Sequence, residues 1–133
     1  MRFSQNKYAN TKNILKFPDH YVSVAFTLDS TGVLPNEDGK KIVPAGTLIG
    51  CGTPGTVLLE NLDTQKGKAA TVDVSTTNVE GVLFNDVDVT YGDAPASLLI
   101  HGYIDLKKLP ATDKENAVKA HVKEALPQIK FIG

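Results

Sequence analysis

Cysteine is the residue this chain has least of: one, Cys51, in 133 residues. A lone thiol closes no internal disulfide, so the sequence reads as one suited to a reducing compartment and held by a packed core. Long apolar runs are also missing. None approaches the roughly 18 to 20 residues that a helical membrane span needs, which argues against a membrane partner. The opening residues, MRFSQNKYAN, offer no apolar stretch and no small-residue cleavage site, so a secretory signal is not expected. Nor is there an excess of either charge, with 14 Lys and Arg against 15 Asp and Glu, and the electrostatic footprint of a nucleic-acid binder is absent. No internal repeat or linker is evident, and the length suits one domain.

What charge there is lies unevenly. Arg2, Lys7, Lys12 and Lys16 precede the first acid, Asp19, leaving ten basic residues against fifteen acidic ones in the rest. The reading is an arm over residues 1–20 and a single β-rich domain over 21–133. A basic arm of this kind is either a tail without fixed structure or a docking segment for an acidic partner.

Apolar periodicity in the body is mostly that of strands. YVSVAFTL at 21–28 alternates strictly, with Val22, Val24, Phe26 and Leu28 on one face. Turn residues come next: Gly32, Pro35, Asn36 and Asp38-Gly39. KIVPAGTLIG carries Pro44 and Gly46, which restricts it to an edge, a bulge or two short strands. TVLLENL reads as a short strand, and DTQKGKAATVDV as a polar turn around Gly67 leading to a strand at Ala70 to Val74. In NVEGVLFNDVDVTYGD, Leu83, Val87, Val89 and Tyr91 share one parity, and Asp86 and Asp88 the other. SLLIHGYIDL is apolar on both faces, which predicts a central strand. Thr112 and Glu115 have the spacing of a capping box, so a helix of three to four turns is expected from near Asp113 to Pro127, with Ala117, Val118, His121, Val122 and Ala125 on its apolar stripe. IKFIG closes the chain as a strand that could dock on the sheet.

Three constellations invite a chemical reading. Residues 50–55, GCGTPG, satisfy G-x-G-x-x-G, with Asp73 downstream where a dinucleotide fingerprint wants an acid. That fingerprint needs a helix after the glycine turn, and TVLLENLD is too short and too β-branched to be one, so a turning β-loop is expected. Cys51 as a nucleophile needs a base from among His20, His101 and His121, and no local signature joins it to any of them. Asp86, Asp88 and Asp93 lack the spacing of a calcium loop and read as a solvated face. One cysteine and three scattered histidines supply no zinc spacing.

In their order, KIVPAGTLIG, VEGVLFNDVDVT, LLIHGYIDLKKLP and the helix TDKENAVKAHVKEAL resemble the head decoration proteins of tailed bacteriophages, the lambda type in particular. The correspondence runs from about Ile42 to Gly133. It rests on the Pro44 to Thr47 step, the glycine-led strand at Gly81 to Val89, the strand with Gly102, Leu109-Pro110, and the helix with its terminal strand. The strand at 21–28 and the loop from Asp63 to Lys68 depart from the compact lambda-type body.

The resemblance implies a mainly β (α+β) fold, a β-tulip-like body with one C-terminal helix and an extended N-terminal arm. It also implies a cement protein without cofactor, metal or catalytic residues, commonly a homotrimer, on the outer surface of the virion capsid after synthesis in the host cytoplasm. Its partner would be the major capsid protein, met by the arm through Arg2, Phe3, Lys7, Tyr8, Lys12 and Lys16, where an extended segment can add a strand to a sheet edge. The alternatives are a small cysteine-dependent enzyme and a head-fibre or other β-rich binding module.

Overall fold

A computed structural model describes residues 14–17, 19–53, 56–70 and 78–133 of the chain. The alternating segment at the start of the body forms β1 (Tyr21–Leu28) as its pattern predicts, with Phe26 and Leu28 buried. The stretch broken by Pro44 and Gly46 gives two short strands, β2 (Ile42–Val43) and β3 (Leu48–Cys51). They are followed by β4 (Lys66–Ala69), β5 (Val79–Leu83), β6 (Val87–Asp88), the long β7 (Ala94–Asp105) and β8 (Ile129–Ile132). Between β7 and β8 lie α1 (Ala111–Ala117) and α2 (Ala120–Ala125). The fold is mainly β, with its helix confined to the C-terminal part.

The strand order is β1-β4-β3-β5-β7-β8, and β1 also pairs with β7, so five strands close into a small barrel-like sheet. β7 is central, as its two apolar faces require. Along one edge it carries all of β1, and along the other β5 and then β8, which runs parallel to it. β2 and β6 form a separate two-stranded ribbon.

Adjacent residues on the central strands point into different cores. Ile49, Leu83 and Leu98 belong to an inner cluster with Phe26, Leu28, Cys51 and Leu58. Their neighbours Leu48, Val82 and Leu99 belong to an outer cluster with Ile14, Leu15, Ile104, Val122, Leu126 and Ile129. This is the period-2 alternation of a strand, with both faces covered. The outer layer takes in two residues that the charge pattern assigns to the arm. Ile14 is fully buried, and Leu15 bridges Ile104 in antiparallel register, with Lys16 N–H donating to Tyr103 O at 2.8 Å and Asp105 N–H to Ile14 O at 2.8 Å. The packed body therefore includes Ile14 and Leu15 and does not start at Tyr21.

Three local expectations change, and a fourth lies outside the described residues. TVLLENL is not a strand: Leu58–Glu60 is a 3₁₀ turn, because the Glu80 carboxylate accepts the N–H groups of Leu58 (2.7 Å) and Leu59 (2.9 Å) and curls the chain. Gly67 is not in a turn but inside β4. A Cβ there would stand 2.6 Å from the Phe26 ring and 3.0 Å from Ile49, so only glycine lets this strand pass over the inner core. The strand expected at 70–74 falls largely on 71–77, outside the described residues. NVEGVLFNDVDV splits at Asn85-Asp86 into β5 and β6, which lie in different sheets.

The expected helix is two short ones. It starts at Ala111 after Pro110, with no side-chain cap, so the Thr112 and Glu115 capping box does not form. Lys119 is extended (φ −72°, ψ 142°), which re-phases the chain so that Val122 and Leu126 reach the core while Val118 and Ala125 stay exposed.

Candidate functional site

The glycine loop begins at the end of β3, which runs antiparallel to β4, and it leads into the 3₁₀ turn and then another strand. These surroundings are not the βαβ context of a dinucleotide site. Asp73 lies outside the described residues, as do Pro54 and Gly55. Gly50 owes its identity to close approach: a Cβ there would meet Asn78 O at 2.3 Å, at a register shift between β3 and β5. Asn78 Nδ2 donates to Cys51 O at 3.1 Å, so this loop is held by Asn78, just before β5, and, by way of the 3₁₀ turn, by Glu80 in β5. Nothing in the sequence marks Asn78 for this role. Glu80, an acid inside an apolar strand, is the one signal the sequence offers.

Cys51 is 3% exposed, and its Sγ pairs with Thr56 Oγ1 (3.0 Å) and Gln65 Oε1 (3.4 Å). A hydroxyl and an amide are not bases, and neither can draw off the thiol proton. Two of the three histidines are engaged with each other. His20 and His101 meet each other, Nε2 to Nε2 at 2.9 Å, and His121 sits on α2 with its Nε2 buried and without a partner.

The three aspartates do more than face solvent. Asp86 Oδ1 accepts from Ala45 N–H at 2.6 Å, joining the β5–β6 turn to the Pro44 step. Asp88 accepts from the hydroxyl of Thr90 and from its N–H, and these, the hydroxyl first, hold its carboxyl below the usual range. Asp93 forms an ion pair with Lys66 at 2.5 Å and accepts from Ser30 N–H at 2.8 Å. The Lys66 ammonium first, then the two Ser30 donors, lower it to about 2. Each carboxylate closes a turn or links two loops. Among the described residues no group of three or more His, Cys, Asp and Glu is placed to hold a metal ion.

Asp113 is a fourth aspartate of consequence, and the capping-box spacing hides it. Its Oδ1 accepts from Leu48 N–H at 3.0 Å and so fastens α1 to β3. Burial raises its pKa, opposed by the N–H groups of Leu48 and of Asp113 itself.

The region where the chain enters the body is the best candidate for a binding surface. Of the residues expected to contact a capsid, Lys16 is described and is exposed; Arg2, Phe3, Lys7, Tyr8 and Lys12 lie outside the described residues. Next to Lys16, Phe17 is 50% exposed and packs edge-on against Tyr103 at 5.5 Å, and the exposed Tyr21 lies against Phe84 at 5.1 Å. Val22 adds further exposed apolar surface. Exposed aromatic rings are among the residue types that anchor protein interfaces.

No protein-family model, curated protein or solved structure matches the chain. No helix among the described residues is long and apolar enough to cross a membrane.

Proposed function

We propose that this protein is a phage capsid decoration protein, which binds the outer surface of the assembled head and bridges neighbouring major capsid protein subunits, itself assembled as a homotrimer. The observation that carries this reading is the anchoring of Ile14 and Leu15. Ile14 is fully buried and Leu15 is bridged to Ile104, so the described chain begins inside the packed body, immediately after the stretch of sequence that bears Arg2, Lys7 and Lys12. That place is rimmed by Lys16, Phe17 and Tyr21, a basic and aromatic surface suited to an acidic or strand-edge partner. The resemblance of the segment order to that of the lambda-type proteins supports the same reading. Cementing needs no reaction: a protein that binds only the assembled lattice stabilises it by mass action.

The alternative of a cysteine-dependent enzyme is weaker. Cys51 is buried against Thr56 and Gln65, and the His20 and His101 side chains are committed to each other.

The test is a truncation that removes residues 2–13 and keeps Ile14. Co-sedimentation with expanded, undecorated heads of the cognate phage should fall at least tenfold in affinity, while the circular dichroism spectrum stays that of the full chain. Undiminished binding by the folded truncation sinks the proposal.

A further inference from the structure

His20 and His101 are 81 residues apart in the chain, and their Nε2 atoms are 2.9 Å apart. His20 stands at the threshold of β1, and His101 lies in the middle of β7, opposite Val22 in the ladder. The third member is Gln128, in the turn before β8, whose Oε1 lies 3.1 Å from His101 Nδ1. An amide oxygen can only accept, so this contact suits the neutral His101 tautomer with its proton on Nδ1. In that tautomer Nε2 presents a lone pair, and the hydrogen between the two rings comes from His20. This is the arrangement by which metal-binding imidazoles are prepared: one nitrogen donates to an oxygen that fixes tautomer and orientation, and the other is left free for the ion.

We propose that His20 and His101 form a two-imidazole site for a divalent transition metal, with zinc the first candidate and Gln128 the positioning residue. Binding replaces the shared hydrogen. His20 moves its ring proton from Nε2 to Nδ1 through solvent, both Nε2 lone pairs then face the ion, and no net proton is released. Imidazole suits zinc, copper and nickel, and nitrogens each about 2.05 Å from a tetrahedral centre are about 3.4 Å apart. The rings need to part by only a few tenths of an ångström. His20 is exposed and can give way, whereas His101 is seated in the ladder and held by Gln128. Water fills the remaining positions.

The ion would join three separate stretches of chain, the start of β1, β7 and the turn before β8. It would do so beside the place where Ile14 and Leu15 enter the core. The site does not depend on the capsid reading, since it rests only on the pair and its amide partner.

Zinc chloride titrated into the full, untagged chain tests it, followed by calorimetry and by the ring carbon and proton signals of the histidines. One zinc per chain is expected, with His20 and His101 shifting on a single isotherm and His121 unmoved. His20→Ala and His101→Ala should each weaken binding by at least tenfold, and Gln128→Ala by about tenfold, the usual cost of removing an outer hydrogen-bond partner. The melting temperature of the parent should rise with zinc, and that of His20→Ala should not. His20→Gln serves if the alanine variants fold poorly. Independent isotherms for the two rings, unchanged zinc affinity in either variant, or no saturable binding overturns the proposal.

Discussion

The two cores of this molecule are built from opposite resources. The inner cluster is made mostly by strands: Phe26 and Leu28 from β1, Ile49 and Cys51 from β3, Leu83 from β5 and Leu98 from β7, joined by Leu58. The outer cluster takes Leu48 from β3, Val79 and Val82 from β5, and Leu99 and Ile104 from β7, takes nothing from β1, and completes itself from the two ends of the described chain. These are Ile14 and Leu15 on one side, and Leu109, Ala117, Val122, Leu126 and Ile129 on the other. A single sheet thus supports a layer that depends on ladder hydrogen bonds and a layer that depends on docking. Segments with few ladder bonds open locally at lower free energy than central strands. The outer layer is where the chain enters the body, so the proposed binding region lies on the more easily opened side.

The strongest way to break this contrast is to empty one core at a time. Leu98 and Ile14 are both fully buried, and truncating either to alanine should cost about 2 to 5 kcal/mol, with Ile14→Ala at the low end because a terminal segment can relax into the space. Urea unfolding gives the totals, and hydrogen exchange gives the pattern. Leu98→Ala should lower protection everywhere. Ile14→Ala should lower it chiefly at Lys16 and Asp105, whose N–H groups bond across the arm junction, and spare Asp29, whose N–H bonds to Gly67 O. Equal loss at all three amides would show that the layers are not separable.

Overfilling sharpens the same comparison from the other direction. Gly67→Ala places a methyl 2.6 Å from the Phe26 ring, and pushing that ring aside inside a closed sheet should cost about 1 to 3 kcal/mol. Thermal unfolding would measure it. Stability equal to that of the parent would mean that β4 can move away from the inner core.

This glycine also marks where the sequence stops being legible. Strands whose alternation answers to a single sheet are readable: β1 falls where YVSVAFTL places it, and β7 is central as its two apolar faces demand. Gly67 misleads because turn chemistry and close approach call for the same residue, and only the position of Phe26 tells them apart. The Thr112 and Glu115 spacing names a cap that tertiary contacts override. Pro110 precedes the helix, and Asp113 is drawn to Leu48 N–H, a partner 65 residues away. For the candidate site the same division holds. The charge asymmetry of the arm is a property of composition and is visible. The pairing of His20 with His101 depends on the register between β1 and β7, which one sequence does not disclose.

The two carboxylates that fasten each layer supply the smallest and most specific test, because they should respond to pH with opposite sign. Asp93 closes the rim of the barrel. Its folded pKa is lowered to about 2 by Lys66 and Ser30, so the unfolded chain binds its proton more readily; the stability it contributes is present above the ordinary carboxylate range and is lost as pH falls through about 2. Asp113 holds α1 against β3, and burial raises its pKa, so here the folded state holds the proton more tightly. Its contribution is greatest below the ordinary carboxylate pKa and declines as pH rises toward the raised value. Asn in place of each removes the titration while keeping an acceptor oxygen. Subtracting the melting temperature of Asp93→Asn from that of the parent should give a difference that grows from pH 2 to pH 5. The same subtraction for Asp113→Asn should give one that shrinks over that range and beyond. The surface position of Asp93 keeps its effect small and sensitive to salt, whereas the effect at Asp113 should persist at high ionic strength. Two differences that both grow with pH would mean that Asp113 is stabilised as the carboxylate by the Leu48 N–H, and that α1 is fastened by a charge and not by a buried acid.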